Sequence, residues 1–128
     1  MLEKQHLNNK YNLNPDSAKI NTQDRVYMLT VVWFKGKAGE YRYRDYLREM
    51  SPLISKVGGR KLKSFIPERG LIGEFDADLL YFVEYPNWQA FKDFANSADY
   101  HKIAYIREEA LDKQLLIRCG RPDRSFWG

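Results

Sequence analysis

The residues Asp99, Tyr100 and His101 place a carboxylate, a phenol and an imidazole side by side, and these are the groups of an acid–base centre. A helix that begins after Ser97 would separate them around its axis. Asp99 then lies in the first turn, where a carboxylate stabilises the helix dipole by about 0.3 to 1 kcal/mol. His101 lies opposite the apolar arc of this helix, so we expect its ring to be solvated and not catalytic.

Tyr100 and Arg107 share the inward face of the same helix, because residues seven positions apart lie about 20° apart around a helix axis. A guanidinium on an inward face requires polar partners. Two interpretations stay open. Arg107 forms a salt bridge or carbonyl contacts that join the helix to a sheet, or it clamps an anionic group of a ligand in a pocket.

Aromatic and acidic residues on the other elements supply the remaining candidates. Tyr43 and Tyr46 belong to the apolar arc of an earlier helix and Trp33 stands near the end of the first strand. The three could line a cleft between helix and sheet, and core packing is the alternative. Burial of Glu84 would raise its pKa and suit it to acid–base work, whereas pairing with an arginine is the alternative. The catalytic candidates are therefore Glu84 and Tyr100, and the ligand-binding candidates are Trp33, Tyr43, Tyr46 and Arg107.

Four segments that position these side chains have the composition of strands. The runs VYMLTVVWF at 26–34 and DLLYFVEY at 78–85 are rich in β-branched and aromatic residues and predict strands in the centre of a sheet. The segment RKLKSFIP at 60–67 predicts an edge strand, because its lysines and terminal proline discourage further pairing. After it, ERGLIGEFDA at 68–77 is a loop or a bulged extension, and KQLLIRC at 113–119 predicts the last strand.

Two helical regions lie between these strands. The glycines of VGG at 57–59 end the first. Its apolar residues fall within an arc of about 120°, at positions 43, 46, 47, 50, 53, 54 and 57. Pro86 and Asn87 begin one further helical piece, and Ser97 begins another that runs to about Leu111. The order βαββαβ predicts an α+β, ferredoxin-like fold: a four-stranded antiparallel sheet with both helices on one face and strands one and three in the centre.

The first strand carries apolar side chains on both faces. One face has Tyr27, Leu29, Val31 and Trp33, and the other has Val26, Met28, Val32 and Phe34. The third strand repeats this pattern, so the sheet face away from the helices needs a cover. We predict a homodimer that packs sheet on sheet, because about 500 Å² of apolar area per subunit contributes about 12 kcal/mol before association costs.

Length and composition fit one folded domain, residues 26–118, with a polar arm at 1–25 and a tail at 119–128. No apolar run reaches the roughly 18 residues of a membrane helix, and the first residues do not resemble a signal peptide. We therefore expect a cytoplasmic protein that does not enter a membrane.

Composition also limits cofactors and partners. Cys119 is the single cysteine, and His6 and His101 lie far apart in the chain, which argues against a disulfide or a metal site. His101 faces away from the predicted core, so we expect neither haem nor another cofactor. Residues 26–118 hold 15 Lys or Arg and 13 Asp or Glu, a balance too even to indicate nucleic-acid binding.

Three motifs carry a resemblance to a known family: Gly58, Gly59 and Arg60 after the first helix, Glu84-Tyr85-Pro86 at a strand end, and Ser97 to Tyr100 with Arg107. In them, and along residues 26–118, the chain resembles the "domain of unknown function 1330" family of the dimeric α+β barrel superfamily. That superfamily includes cofactor-independent monooxygenases, haem-dependent enzymes, muconolactone isomerase-like proteins and stress-response proteins. The polar arm departs from the compact pattern of the family.

The resemblance and the residues together lead to two functional hypotheses. The first is a small homodimer with a small-molecule pocket between sheet and helices, working as a cofactor-independent enzyme of the monooxygenase or isomerase type. The alternative is a ligand-binding, structural or stress-related module without catalysis. The sequence leaves open whether the protein is an enzyme.

Overall fold

The chain follows the order βαββααβ over residues 23–121, the part that the structure, a computed structural model, describes. Nearly all of the predicted arm at 1–25 and the end of the predicted tail lie outside the described residues. The elements are β1 (Val26–Phe34), α1 (Gly36–Lys56), β2 (Arg60–Phe65), β3 (Leu79–Tyr85), α2 (Trp88–Ala95), α3 (Ala98–Ala110) and β4 (Leu111–Cys119).

The four strands form one antiparallel sheet in the order β2-β3-β1-β4. The two most apolar strands, β1 and β3, lie in the centre, where both of their edges pair and both of their faces can be covered. The basic segment β2 lies at one edge, as its lysines predict. The predicted ferredoxin-like α+β architecture is confirmed.

The register separates the side chains of the sheet into two faces. Val26, Met28 and Val32 of β1 belong to the buried core beneath the helices, together with Tyr81 and Val83 of β3. Side chains alternate along a strand, so the intervening residues lie on the opposite face, which we call the open face. The open face comprises Tyr27, Leu29, Val31 and Trp33 of β1, Leu80, Phe82 and Glu84 of β3, and Lys113, Leu115, Ile117 and Cys119 of β4.

Local chemistry explains where the helices begin and end. Asn87 begins α2 by accepting a hydrogen bond from the backbone N–H of Ala90 at 2.9 Å, and Ser97 begins α3 by accepting one from Tyr100 at 3.1 Å. After α1, Gly58 adopts a φ of +81°, a left-handed conformation that favours glycine. Pro52 lies exposed within α1, on the solvent side of the helix.

Each of the two edge strands has one boundary that differs by two residues from the sequence prediction. β4 begins at Leu111 instead of 113, immediately after α3, because the end of β1 pairs with it across a bulge. β2 ends at Phe65 instead of 67, and the segment from 66 to 78 is a loop. Pro67, which lacks a backbone N–H, lies two residues after Phe65, the last paired residue of β2.

The first turn of α1 packs tightly against the end of α3. A Cβ atom at Gly39 would overlap the carbonyl oxygen of Ala110. That carbonyl is held in place because it accepts a hydrogen bond from the Lys35 N–H at 2.8 Å. Gly39 therefore permits a close approach between two helices that both carry candidate site residues.

Gly39→Ala should lower the free energy of unfolding by about 1 to 3 kcal/mol through overpacking. Helix propensity alone predicts the opposite, a gain of about 1 kcal/mol. Ala38→Gly, at the adjacent exposed position, is the control and should lose only the propensity difference. Urea denaturation measures both variants, and a Gly39→Ala protein at least as stable as the wild type would contradict this packing.

Candidate functional site

Four tyrosines and one arginine meet in the interior between the helices and the sheet. We call this set, Tyr43, Tyr46, Tyr81, Tyr100 and Arg107, the tyrosine–arginine cluster. All five side chains are buried, and Arg107 is only 2% exposed. Buried hydroxyl and guanidinium groups require hydrogen-bonding partners, so their mutual geometry decides what the cluster can do.

One part of the cluster is a chain of hydrogen bonds from α3 to α1. Arg107 Nη1 donates to the hydroxyl oxygen of Tyr100 at 2.9 Å. The Tyr100 hydroxyl in turn lies 2.7 Å from the Tyr46 hydroxyl, and either oxygen can be the donor. A cation that donates to a phenol oxygen draws electron density from it and makes its O–H a stronger donor. Arg107 therefore polarises the Tyr100 hydroxyl.

The other part of the cluster joins α1 to the centre of the sheet. The Tyr43 and Tyr81 hydroxyls lie 2.7 Å apart and are both buried. The rings of Tyr43 and Tyr46 are 5.3 Å apart between centroids, which brings the two hydrogen-bonded pairs together. The cluster thus spans α1, α3 and β3.

Burial raises the pKa of Tyr43 well above its ordinary value, because the phenolate would lose its hydration. The neighbouring Tyr81 and Tyr100 hydroxyls act in the same direction, and the positive charge of Arg107 offsets part of the effect. Tyr43 therefore stays protonated at neutral pH. It serves as a neutral hydrogen-bonding group and does not suit the role of a general base.

A small cavity lies beside the cluster. Its volume is about 30 Å³, room for about one water molecule. Hydroxyl and amide groups line it together with aromatic rings and apolar chains: Met28, Thr30, Tyr46, Met50, Tyr81, Val83, Tyr85, Phe91, Phe94, Tyr100, Gln114 and Leu116. Six of the lining residues therefore carry a polar group in an otherwise aromatic and aliphatic wall.

Regular geometry brings the predicted residues to this place. Tyr43 and Tyr46 lie about one turn apart in α1, and Tyr100 and Arg107 about two turns apart in α3. The Ser97 cap fixes the first turn of α3, which holds Tyr100. The structure thus joins four of the six candidate residues, and it adds Tyr81, which sequence reasoning missed.

Trp33 lies away from the cluster, unlike the cleft position that the sequence suggested. It belongs to the open face, and its indole Nε1 donates to the Asp76 carboxylate at 2.9 Å. Its ring contacts Phe75 edge-on with centroids 6.1 Å apart. The single-residue alternation of a strand explains the difference, because Trp33 and the core residue Val32 must point to opposite faces.

Glu84 also lies on the open face. Its carboxylate is 3.1 Å from Arg60 Nη2 and 3.6 Å from Arg25 Nη1. The arginine pairing that the sequence left as an alternative is therefore the arrangement that the structure shows. It places Glu84 at one end of the open face, away from the cavity.

His101 is half-buried, and its Nε2 atom is shielded from solvent. The expectation of a solvated ring is wrong at this atom, because a helical wheel gives the direction of a side chain but not how far the neighbouring elements reach. Asp99, its neighbour, faces Lys56 and Lys102 at 3.7 and 3.9 Å. Asp99 thus pairs with lysines, whereas its neighbour Tyr100 bonds within the tyrosine–arginine cluster.

Two larger depressions lie elsewhere on the described part of the chain. A groove of about 250 Å³ beside α1 and β2 has an apolar floor and a rim that includes Ser51, Ser55 and Lys61. A wide hollow of about 710 Å³ lies within the loop between β2 and β3. Within residues 23–121 no group of three His, Cys, Asp or Glu side chains is placed to hold a metal ion. Likewise, none of the helices there is both long and apolar enough to cross a membrane.

Comparison with known families identifies the domain. The model of the family described as "Domain of unknown function (DUF1330)" matches residues 26–120. The chain belongs to this family. The matched segment contains every described strand and helix, so the resemblance seen in the sequence motifs is confirmed. No curated protein matches the chain.

Solved structures share the architecture at low sequence identity. A protein of unknown function from Rhodopseudomonas palustris is 24% identical, with a TM-score of 0.72 over 79% of this chain and 85% of that one. A dimeric protein of unknown function with a ferredoxin-like fold from Bacteroides fragilis is 12% identical, with a TM-score of 0.56 over 77% and 98%. A dabb family protein with a ferredoxin-like fold from Mesorhizobium loti is 15% identical, with a TM-score of 0.56 over 79% and 100%. These similarities establish the fold alone.

The raised pKa of Tyr43 makes stability depend on pH above the ordinary tyrosine value of 10.0. In the unfolded chain Tyr43 ionises near that pH, whereas in the folded chain it keeps its proton, so the free energy of unfolding falls as the pH rises further. Tyr43→Phe should make this decline shallower by up to about 1.4 kcal/mol per pH unit.

Urea denaturation at several pH values from about 9 to 11 measures the decline. The matched control is Tyr41→Phe, which removes an exposed phenol from the same helix and should leave the slope as in the wild type. Equal slopes for the wild type and Tyr43→Phe would contradict the buried, protonated state of Tyr43.

Proposed function

We propose that the protein is a homodimeric small-molecule-binding domain in which the tyrosine–arginine cluster receives the polar group of the ligand. The observation that carries this proposal is the hydrogen-bonded chain from Arg107 through Tyr100 to Tyr46 beside a cavity. Polar groups that converge on an otherwise apolar and aromatic cavity are the usual composition of a ligand site.

The donors of the cluster favour a ligand with a carbonyl, carboxylate or phenolic oxygen. Tyr100, polarised by Arg107, can donate to such an oxygen, and Gln114 and Thr30 offer further polar contacts from the sheet side. Phe91 and Phe94 supply aromatic walls that suit a planar ring. A small aromatic or unsaturated oxygen compound matches both sets of groups.

Binding is better supported than acid–base catalysis. Among the described residues that line the cavity there is no Asp, Glu or His, and the pKa of Tyr43 lies too high for a base. The donors could still stabilise negative charge that develops on a bound oxygen, as a cofactor-independent isomerase or monooxygenase requires. Such chemistry would take its proton acceptor from the substrate or the solvent.

The size of the cavity sets a condition on binding. At about 30 Å³ it admits one polar group, and a whole aromatic ring needs the lining side chains to move. Met28 and Met50 are unbranched and flexible, so they can change rotamer at lower cost than β-branched residues. We propose that the cavity widens around the ligand through these two side chains.

The small volume also favours a second candidate function, a structural module without a ligand. In that case the cluster would serve only to satisfy its own polar groups and to fix the positions of α1 and α3. The two functions differ in one respect: ligands should perturb the cluster only if it is a binding site.

Nuclear magnetic resonance with a set of small aromatic carboxylates, aldehydes and phenols distinguishes these functions. We expect at least one compound to shift the backbone amide signals of Tyr46 and Tyr100. Tyr100→Phe should weaken that binding at least tenfold, because the polarised donor is lost, and Tyr41→Phe on the exposed side of α1 should not change it. Compounds that shift only signals at the groove beside α1 and β2, or none at all, would contradict the binding proposal.

The proposed dimer forms through the open face. Leu29, Val31 and Phe82 lie in its middle, flanked by Leu115 and Ile117, which are 38% and 44% exposed in one subunit. Charged residues lie at its ends, where Glu84 pairs with Arg60 and Lys113 lies over the Trp33 ring. An apolar centre with a charged rim is the composition of a protein–protein interface. The similar protein from Bacteroides fragilis is described as dimeric, which supports a dimer for this chain as well.

Ile117→Glu should convert the dimer into a folded monomer at micromolar concentration, because the interface would bury an unpaired charge. Tyr105→Glu is the matched control: Tyr105 is 45% exposed, close to the 44% of Ile117, but it lies on α3 in the helical layer. Sedimentation velocity measures the mass of each variant. A wild type that is monomeric, or an Ile117→Glu variant that stays dimeric, would refute assembly through the open face.

A further inference from the structure

The loop between β2 and β3, residues 66–78, presents an apolar tip to solvent. Leu71 is 88% exposed and Ile72 is 100% exposed, the largest values among the exposed large hydrophobic residues of the described chain. Two adjacent aliphatic side chains at a loop tip are unfavourable in water and indicate a contact surface. The loop is not part of the tyrosine–arginine cluster or of its cavity.

The base of this loop is fixed to the end of β1. Asp76 accepts from the Trp33 indole N–H at 2.9 Å, and Asp78 accepts from the Phe34 backbone N–H at 2.7 Å. The Asp78 N–H donates to the Val32 carbonyl at 2.9 Å. These bonds hold the last three residues of the loop against the end of β1, so the loop leaves the sheet from a defined position.

The tip itself is a tight turn between two glycines. A Cβ atom at Gly70 would overlap the carbonyl of Gly73, and Gly73 has a φ of +80°, which favours glycine. Leu71 and Ile72 lie between them. The tight turn therefore places Leu71 and Ile72 at the tip of the loop, with both side chains exposed to solvent.

The apolar surface of the loop is continuous with the open face. Phe75 packs its ring edge-on against Trp33, and Phe65, which is 56% exposed, pairs with Leu80. Trp33 and Leu80 both belong to the open face. A second copy that covers the open face therefore reaches the loop as well.

Charge identifies the same occupant. The loop carries four carboxylates and one arginine: Glu68, Glu74, Asp76, Asp78 and Arg69. Beside the open face, the edge strands carry the exposed basic residues Arg60 and Lys113. An acidic loop complements the basic sheet edges of another copy and is repelled by an anionic lipid surface.

From this position, shape and charge we infer that the loop is an intersubunit clasp, whose Leu71–Ile72 tip packs on a second copy of the chain. This inference rests on the proposed dimer and adds to it a segment outside the sheet that sets its strength. Because a C2 interface is self-complementary, each dimer would have two clasps, one from each subunit.

The test compares the dimer dissociation constants of full-length variants by sedimentation equilibrium. Leu71→Ser with Ile72→Ser should raise the dissociation constant about tenfold or more, since two aliphatic side chains would lose their apolar contacts. Tyr41→Ser with Tyr105→Ser, which removes two exposed side chains from the helical layer, is the control and should change it less than threefold. If the Leu71/Ile72 variant has the dissociation constant of the wild type while Ile117→Glu is monomeric, the clasp is wrong and the dimer through the open face is still supported.

Trypsin gives a second readout that does not depend on substitution in the tip. Arg69 is exposed and is the sole Lys or Arg within residues 66–78. Cleavage after Arg69 should slow as the protein concentration rises through the dissociation constant, and it should stay fast in the Ile117→Glu monomer. Equal cleavage rates in dimer and monomer would contradict the clasp. Binding to phosphatidylcholine vesicles would also contradict it, if the wild type binds the vesicles and the Leu71/Ile72 variant does not.

Discussion

The arrangement of the interior depends on the hydrogen bond from Arg107 to Tyr100. It places a guanidinium that is 2% exposed against a phenol, inside a layer that is otherwise aromatic and aliphatic. A buried cation is tolerated only where hydrogen bonds replace its lost hydration. This requirement fixes the positions of the groups that accept hydrogen bonds from Arg107. The Tyr100 hydroxyl is in turn hydrogen-bonded to the Tyr46 hydroxyl in α1. The hydrogen-bonded pair Tyr43–Tyr81 extends the polar region to the centre of the sheet.

The two faces of the sheet differ in what they contact. Under the helices it supports the tyrosine–arginine cluster and its cavity, which we propose receives the polar group of a ligand. On the open face it presents apolar residues with charges at both ends, and we propose that a second copy of the chain packs on this surface. Trp33 and Glu84 lie on the open face, and each has a polar partner at the margin of that face. The partner of Trp33 is Asp76, and the partners of Glu84 are Arg25 and Arg60.

The sequence predicts the fold better than it predicts the site. Alternating and helical periodicities are local, so the strands, the helices and the Ser97 cap could be read directly, and the apolar content of β1 and β3 indicated the central strands. Tyr100 and Arg107 were paired by helical spacing. Tyr81 was missed because it stands in a strand that is apolar along its length, and its partner Tyr43 is 38 positions away. Such a contact depends on the register of the strands and on where the helix packs on the sheet. A local sequence pattern predicts neither of these.

If the tyrosine–arginine cluster is one connected unit, Tyr46 and Arg107 must be energetically coupled although Tyr100 lies between them. A double-mutant cycle with Tyr46→Phe and Arg107→Met, measured by urea denaturation, tests this directly. We expect the two losses in the free energy of unfolding to deviate from additivity by about 0.5 kcal/mol or more. Additive losses, within about 0.3 kcal/mol, would show that the cluster is a set of independent contacts and would contradict its role as a single site.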